Sequence, residues 1–194
     1  MAAEKKKTDK KVEKKPVKKV AASAKKPVKK STKNVAAVGD LTINVPKGGQ
    51  VIKFFNLTPA LPTPMGPGDW KFTEVGSTVD ISTLTVRFEL NPSAIEREFE
   101  RAILAINIQQ NPATNGTWRF ALGGVATDAA DGDPNNDIAL EIVDNGFTML
   151  VYVHVLENSD EIIPFGFVAS FTNTVTGAVF IYESQDPQIQ PRRP

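Results

Sequence analysis

Residues Ile138–Leu156 read IALEIVDNGFTMLVYVHVL, and this stretch decides the fold class. Ile138, Leu140 and Ile142 alternate with Ala139, Glu141 and Val143, the period-two signature of a strand with one face buried. Asp144-Asn145-Gly146 interrupts the pattern with residues that accept left-handed backbone, so a tight hairpin is expected there. The second run, Phe147–Leu156, is almost continuously apolar, as in a central strand covered on both faces.

The same texture extends outward in both directions from this hairpin. Short strands are expected near Leu41–Val45, Val51–Asn56, Val79–Leu90, Ala102–Ile108, Thr117–Leu122, Ile162–Thr172 and Ala178–Glu183. In Thr85–Leu90, Val86, Phe88 and Leu90 alternate with Thr85, Arg87 and Glu89. Turn residues separate the runs: Pro46-Lys47-Gly48-Gly49, Asn115-Gly116 and Thr176-Gly177. One short helix is expected from Pro92 to Arg101. Asn91 or Ser93 caps it, Ser93-x-x-Glu96 resembles a capping box, and Ile95, Phe99 and Ala102 share one face. The charges of Glu96–Arg101 then read as a solvated helical surface. Strands with little helix point to an all-β fold, a single antiparallel β-sandwich of jelly-roll type. Residues 35–184 form that domain, and Gln185–Pro194, with three prolines, reads as an extended tail.

The remaining N-terminal residues are of another kind. The chain has 194 residues and a net charge of +1, which hides a division. Residues 1–34 carry Lys5, Lys6, Lys7, Lys10, Lys11, Lys14, Lys15, Lys18, Lys19, Lys25, Lys26, Lys29, Lys30 and Lys33 against Glu4, Asp9 and Glu13, a net of +11. Residues 35–194 sum to −10. The arm has no Leu, Ile or aromatic residue, so it cannot bury enough surface to offset its ordering entropy and is expected to be disordered alone. The hexapeptide KKPVKK occurs at Lys14–Lys19 and again at Lys25–Lys30. Proline favours extended backbone, and paired lysines along an extended chain suit a phosphate backbone. Lysine lacks the planar fork that reads base edges, so contact with nucleic acid is expected to be sequence-independent and salt-sensitive. Fully extended, the arm would reach about 110 Å. A targeting or solubilising tail is the plainer use of such a segment.

Composition removes other options. There is no Cys and one His, which excludes thiolate chemistry and a disulfide framework and leaves little for His-based catalysis. No apolar run reaches 18 residues, so no membrane-spanning helix is expected, and no apolar segment follows the charged N-terminus as in a secretory signal. No nucleophile elbow, P-loop or dinucleotide fingerprint occurs, and an enzyme is not expected. One acidic loop offers hard oxygen ligands: Asp128, Asp131, Asp133 and Asp137, with Asn135 and Asn136 between them. Such residues suit Ca²⁺, although the spacing departs from the EF-hand pattern and an acidic surface turn explains it as well. Trp70 and Trp118 read as core or interface anchors, and His154 as a structural or interfacial residue opposite Val153 and Val155. No cofactor is expected beyond that calcium.

A Lys-rich arm followed by one β-sandwich resembles, in layout, the jelly-roll coat proteins of small icosahedral viruses. The resemblance implies a virion protein whose body self-assembles into a shell while the arms neutralise packaged genome. The partners are then further copies of the chain and nucleic acid, with no membrane. The KKPVKK repeats are also similar to the tails of linker histones, which implies a chromatin-like module in a nucleus or nucleoid. A phage head-decoration protein, its arm on an acidic protein surface, is the third expectation.

Overall fold

Why the strands form where they do is visible in their alternation, and a computed structural model carries it into three dimensions. It describes residues 38–64, 68–126, 133, 135–185 and 187–194. The fourteen lysines of the arm, Asp128 and Asp131 lie outside the described residues. The chain divides after Asn34 into two units, and every described residue belongs to the second.

The body is all-β. Thirteen strands run in chain order among the described residues: β1 (Val38–Val45), β2 (Gln50–Thr58), β3 (Lys71–Glu74), β4 (Asp80–Phe88), β5 (Arg101–Ile108), β6 (Gly116–Ala126), β7 (Ile138–Val143), β8 (Thr148–Val153), β9 (Ser159–Asp160), β10 (Ile163–Pro164), β11 (Gly166–Asn173), β12 (Val179–Glu183) and β13 (Gln188–Arg193). A single α-helical turn, α1 (Ala94–Arg97), lies between β4 and β5. The first sheet has the order β1-β4-β13-β10, with β9 beside β13. The second is β3-β2-β5-β8-β7 and the third is β12-β11-β6.

The first and second sheets are mixed, which corrects the antiparallel expectation, while the third is antiparallel throughout. β1 pairs with β4, β4 with β13, and β2 with β5, all in parallel. The cause is the turn Pro46–Gly49. It passes the chain from β1 in the first sheet to β2 in the second instead of folding it back as a hairpin. Asn115-Gly116 is likewise no hairpin: Asn115 ends a 3₁₀ turn in the left-handed region, and β6 pairs with β11, not with β5. The expected hairpins at Asp144–Gly146 and Thr176-Gly177 are present. Asp144, Asn145 and Gly146 all take positive φ (50°, 54° and 89°), which is why short polar residues and glycine stand there.

Inward-facing residues of the three sheets meet in one core. Ile43, Val45, Leu84, Val86, Phe88 and Ile189 come from the first sheet. Phe55, Leu57, Leu104, Ile106, Met149 and Val151 come from the second, and Trp118, Phe120, Phe167 and Phe171 from the third. Trp118 is fully buried, with the Trp70 ring edge-on at 5.5 Å, so both tryptophans anchor the core. Each fully buried large apolar side chain contributes about 1.5–3 kcal/mol of transfer free energy.

Two expectations fail at chain segments rich in charge. The helix is one turn, not ten residues. Ser93 caps it as expected, its Oγ accepting from the Glu96 amide at 3.3 Å. The chain then turns Glu100 inward and enters β5 at Arg101, opposite Gln50. Gln185–Pro194 is no tail outside the domain. It supplies β13, which lies between β4 and β10 with Ile189, Pro191 and Arg193 buried. Arg193 ends this strand on Glu100 at 2.5 Å.

Candidate functional site at an acidic corner

The turn before β7 is built by its own carboxylates. Asp133 accepts from the Asp137 amide through Oδ1 and from the Ile138 amide through Oδ2, both at 2.7 Å. These bonds fix the backbone that starts β7, and the His154 amide donates to the Asp137 carbonyl at 2.8 Å. The Asp137 side chain is thereby turned inward and is buried. Ser159 Oγ–H, also buried, donates to Asp137 Oδ2 at 3.2 Å. Glu161 arrives from the segment after β9 and accepts from the Asn135 amide group through Oε1, while its Oε2 is buried without a hydrogen-bond partner. Ligand oxygens of Asp133, Asp137 and Glu161 all lie within 4.8 Å of one another.

The electrostatics follow from this crowding. Burial pushes the Asp137 carboxyl above its usual value and Asp133 adds to the shift, while the Ser159 hydrogen bond, the neighbouring His154 and the charge of Arg193 oppose it. Burial also pushes Glu161 up, and the charges of Asp137 and Asp133 push it further. Carboxylates held this close relieve their repulsion by keeping a proton or by sharing a hard cation. The oxygen donors suit Ca²⁺ in type. Much of Asp133's accepting capacity, however, is already spent on the backbone.

Two clefts open beside these residues. One, of about 340 Å³, is lined by Arg101, Asn136, Asp137, Ala139, Tyr152 and His154. The other, of about 330 Å³, shares Asn136, Asp137 and His154 and continues along Leu156–Ser159. His154 Nε2–H donates to the Arg97 carbonyl at 3.2 Å, which ties the end of β8 to α1. That is the structural role expected of it. Of the four acids proposed as ligands, the structure brings Asp133 and Asp137 together, whereas Asp128 and Asp131 lie outside the described residues. Sequence reasoning missed Glu161, which is 24 positions beyond Asp137 and carries no spacing signal.

A second polar assembly lies inside the body. Glu100 accepts from Gly48 N–H at 2.7 Å, from Asn91 Nδ2 at 2.6 Å and from Arg193 Nη2 at 2.5 Å. Arg193 also donates through Nε to the Val155 carbonyl at 2.9 Å, and its guanidinium lies over the Phe88 ring at 4.9 Å. Burial alone would raise the Glu100 pKa, but the bonds from Asn91, Gly48 and Arg193, with Arg193's charge, outweigh it and hold the carboxyl below its usual value. This assembly is a clamp on β13. Its donors and acceptors are spent on one another, so it has nothing to offer a ligand.

Residues 39–193 match the DP-EP family, and the chain belongs to that family. No curated protein matches it. Among solved structures, the crystal structure of the cysteine protease inhibitor EhICP2 from Entamoeba histolytica is similar at 8% identity over 74% of this chain and 95% of that one, with a TM-score of 0.21. A score of that size carries no inference about fold or activity.

Proposed function

We propose that this member of the DP-EP family is a structural, self-associating protein of the kind that forms a virion shell. The β body joins copies of itself, and the basic arm neutralises nucleic acid. The observation that carries this reading is the division of charge, +11 in residues 1–34 against −10 in residues 35–194. An arm of that charge releases counterions from about eleven phosphates, and an acidic body keeps nucleic acid off its other surfaces. A structural role also fits a chain with no Cys, whose single His is engaged by a backbone carbonyl.

The test is the mass of the purified chain in low salt by light scattering, with duplex binding followed as salt is raised. A megadalton particle and a steep salt dependence support the shell. Deleting residues 1–34 abolishes binding while the β body stays folded, because the body builds its core from its own strands. Reversing the four lysines of one KKPVKK repeat lowers the logarithmic salt slope by at least about 3–4 without altering sequence preference. The repeats themselves favour a second reading, a chromatin-like module, and a small oligomer that coats duplex DNA would support that instead. An arm that ignores nucleic acid but holds an acidic protein surface would indicate a decoration protein.

A further inference from the structure

The second sheet presents an apolar outer face. β8 lies between β5 and β7 and is therefore central, yet only one of its faces is covered. Met149, Val151 and Val153 point into the core, while Leu150 and Tyr152 point the other way and stay partly exposed. The register extends this outward face across the sheet. Ile52, Ile103, Tyr152 and Ala139 form one row, and Phe54, Ala105, Leu150 and Glu141 form the next. Val75 adjoins Phe54, to whose carbonyl its amide donates at 2.9 Å. Ile52 is 56% exposed, Phe54 55% and Val75 52%. Apart from Glu141 at the edge these two rows are apolar, between a polar row of Gln50 and Arg101 and another of Asn56, Asn107 and Thr148, and an apolar centre with a polar rim marks an interaction surface.

We propose that this face packs against the same face of a second copy of the chain. The size of the face suits a dimer. The five strands differ in length, from four residues in β3 to nine in β2, and at about 3.4 Å per residue and about 4.8 Å between strands they give a face of roughly 540 Å² per copy. Two such faces bury roughly 1,100 Å², just above the threshold of about 1,000 Å² that a biological contact clears. The contact is isologous, sheet on sheet about 10 Å apart, with Phe54 and Tyr152 as aromatic anchors and Arg101, Glu141 and Lys71 at the margin.

This inference names the surface for the self-association proposed above and rests on that reading. The test is the light-scattering mass of the full chain, of Phe54→Lys and of Ile52→Lys, with far-ultraviolet circular dichroism as the check on folding. Both positions are exposed, so both variants fold. Thr42→Lys, on the outward side of β1 in the first sheet, is the control. If the face is the interface, the wild-type mass falls at least twofold in both lysine variants and is unchanged in Thr42→Lys. If the wild-type chain associates and the folded Phe54→Lys and Ile52→Lys chains keep its mass, this face is not the interface, while self-association itself stands. A wild-type chain that is monomeric at every concentration overturns both.

Discussion

The first and second sheets both pack on one core, and the centres of their outer faces differ in character. Outward from the first sheet point Thr42 and Asn44 of β1, Thr83, Thr85 and Arg87 of β4, and Gln190 and Arg192 of β13. Outward from the second point Ile52, Phe54, Ile103, Leu150 and Tyr152 at the centre, with Gln50, Asn56, Arg101, Asn107 and Thr148 on either side of them. The central strands of both sheets alternate inward and outward side chains, so folding alone does not distinguish them. The difference is imposed from outside: a face that meets water is polar, and a face that meets protein is free to be apolar. The inner sides differ as well. The ion pair of the second sheet, Lys53 on Glu74, is half-exposed, whereas the last strand of the first sheet ends on a fully buried one.

That ion pair offers the largest way to break the comparison. Glu100→Gln leaves the Arg193 guanidinium buried without its counter-charge, and unfolding in urea should show a loss of about 3–5 kcal/mol. Arg193→Met added to Glu100→Gln should recover most of the loss, because a buried pair replaced by apolar groups is often neutral. The pH dependence has a definite sign. Glu100 is held below its usual pKa, so its contribution is present above about pH 4.5 and disappears as the pH falls through its folded-state value. The wild-type chain should lose stability in acid more steeply than Glu100→Gln. Equal slopes would remove the pair from the account of what seats β13.

The acidic corner gives a smaller effect with the opposite sign. Glu161 and Asp137 are both raised, so the folded chain keeps protons that the unfolded chain releases. Their favourable contribution is complete below the unfolded-chain value of about 4–4.5 and is lost as the pH rises through the folded-state values. Glu161→Gln keeps the acceptor for Asn135 and removes the charge. Its melting temperature should exceed that of the wild-type chain at pH 7.5, and the gap should close as the pH approaches 4.5. Calcium added at pH 7.5 distinguishes the two ways of relieving the repulsion. A rise in melting temperature in the wild-type chain that is absent in Glu161→Gln assigns the cluster to a cation, and no rise in either assigns it to a retained proton.

How much of this was legible in the sequence depended on how far apart the interacting residues lie. Eight strands and the Asp144–Gly146 hairpin were readable because alternation and turn chemistry are local, while Ile162–Thr172, expected as one strand, is β10 of the first sheet and β11 of the third, parted at Phe165. β3 was missed because four residues after a proline-rich loop give no period, and the two-residue β9 gives even less. β13 does alternate, with Ile189, Pro191 and Arg193 inward. A proline and a buried arginine disguise it as a tail, and the partner that makes Arg193 tolerable is 93 positions away. Glu100 was read as a solvated helix charge for the same reason. Parallel pairing was invisible because alternation fixes which face a residue takes and says nothing of which strand lies beside it. Two of the three acids at the corner could be anticipated: Asp133 and Asp137 share a loop, while Glu161 reaches them through the fold.

The smallest effect is the sharpest test of the two faces, because it exchanges their character with little change to the core. Ile52→Thr places a first-sheet residue on the second sheet, and Thr85→Val does the reverse. Both replacements are β-branched and outward-facing, so strand propensity and buried contacts are nearly preserved, and each should change the unfolding free energy measured in urea by less than about 0.5 kcal/mol. Their effects on association should differ. Ile52→Thr removes apolar area from the centre of the proposed contact and should weaken the dimer severalfold, read from the concentration dependence of the light-scattering mass. Thr85→Val leaves Thr42 on one side and Gln190 on the other, and one valine among polar neighbours makes no patch. It should associate as the wild-type chain does. If Thr85→Val changed association as much as Ile52→Thr, the polar sheet face would also be an interface, and solvent would no longer explain its composition.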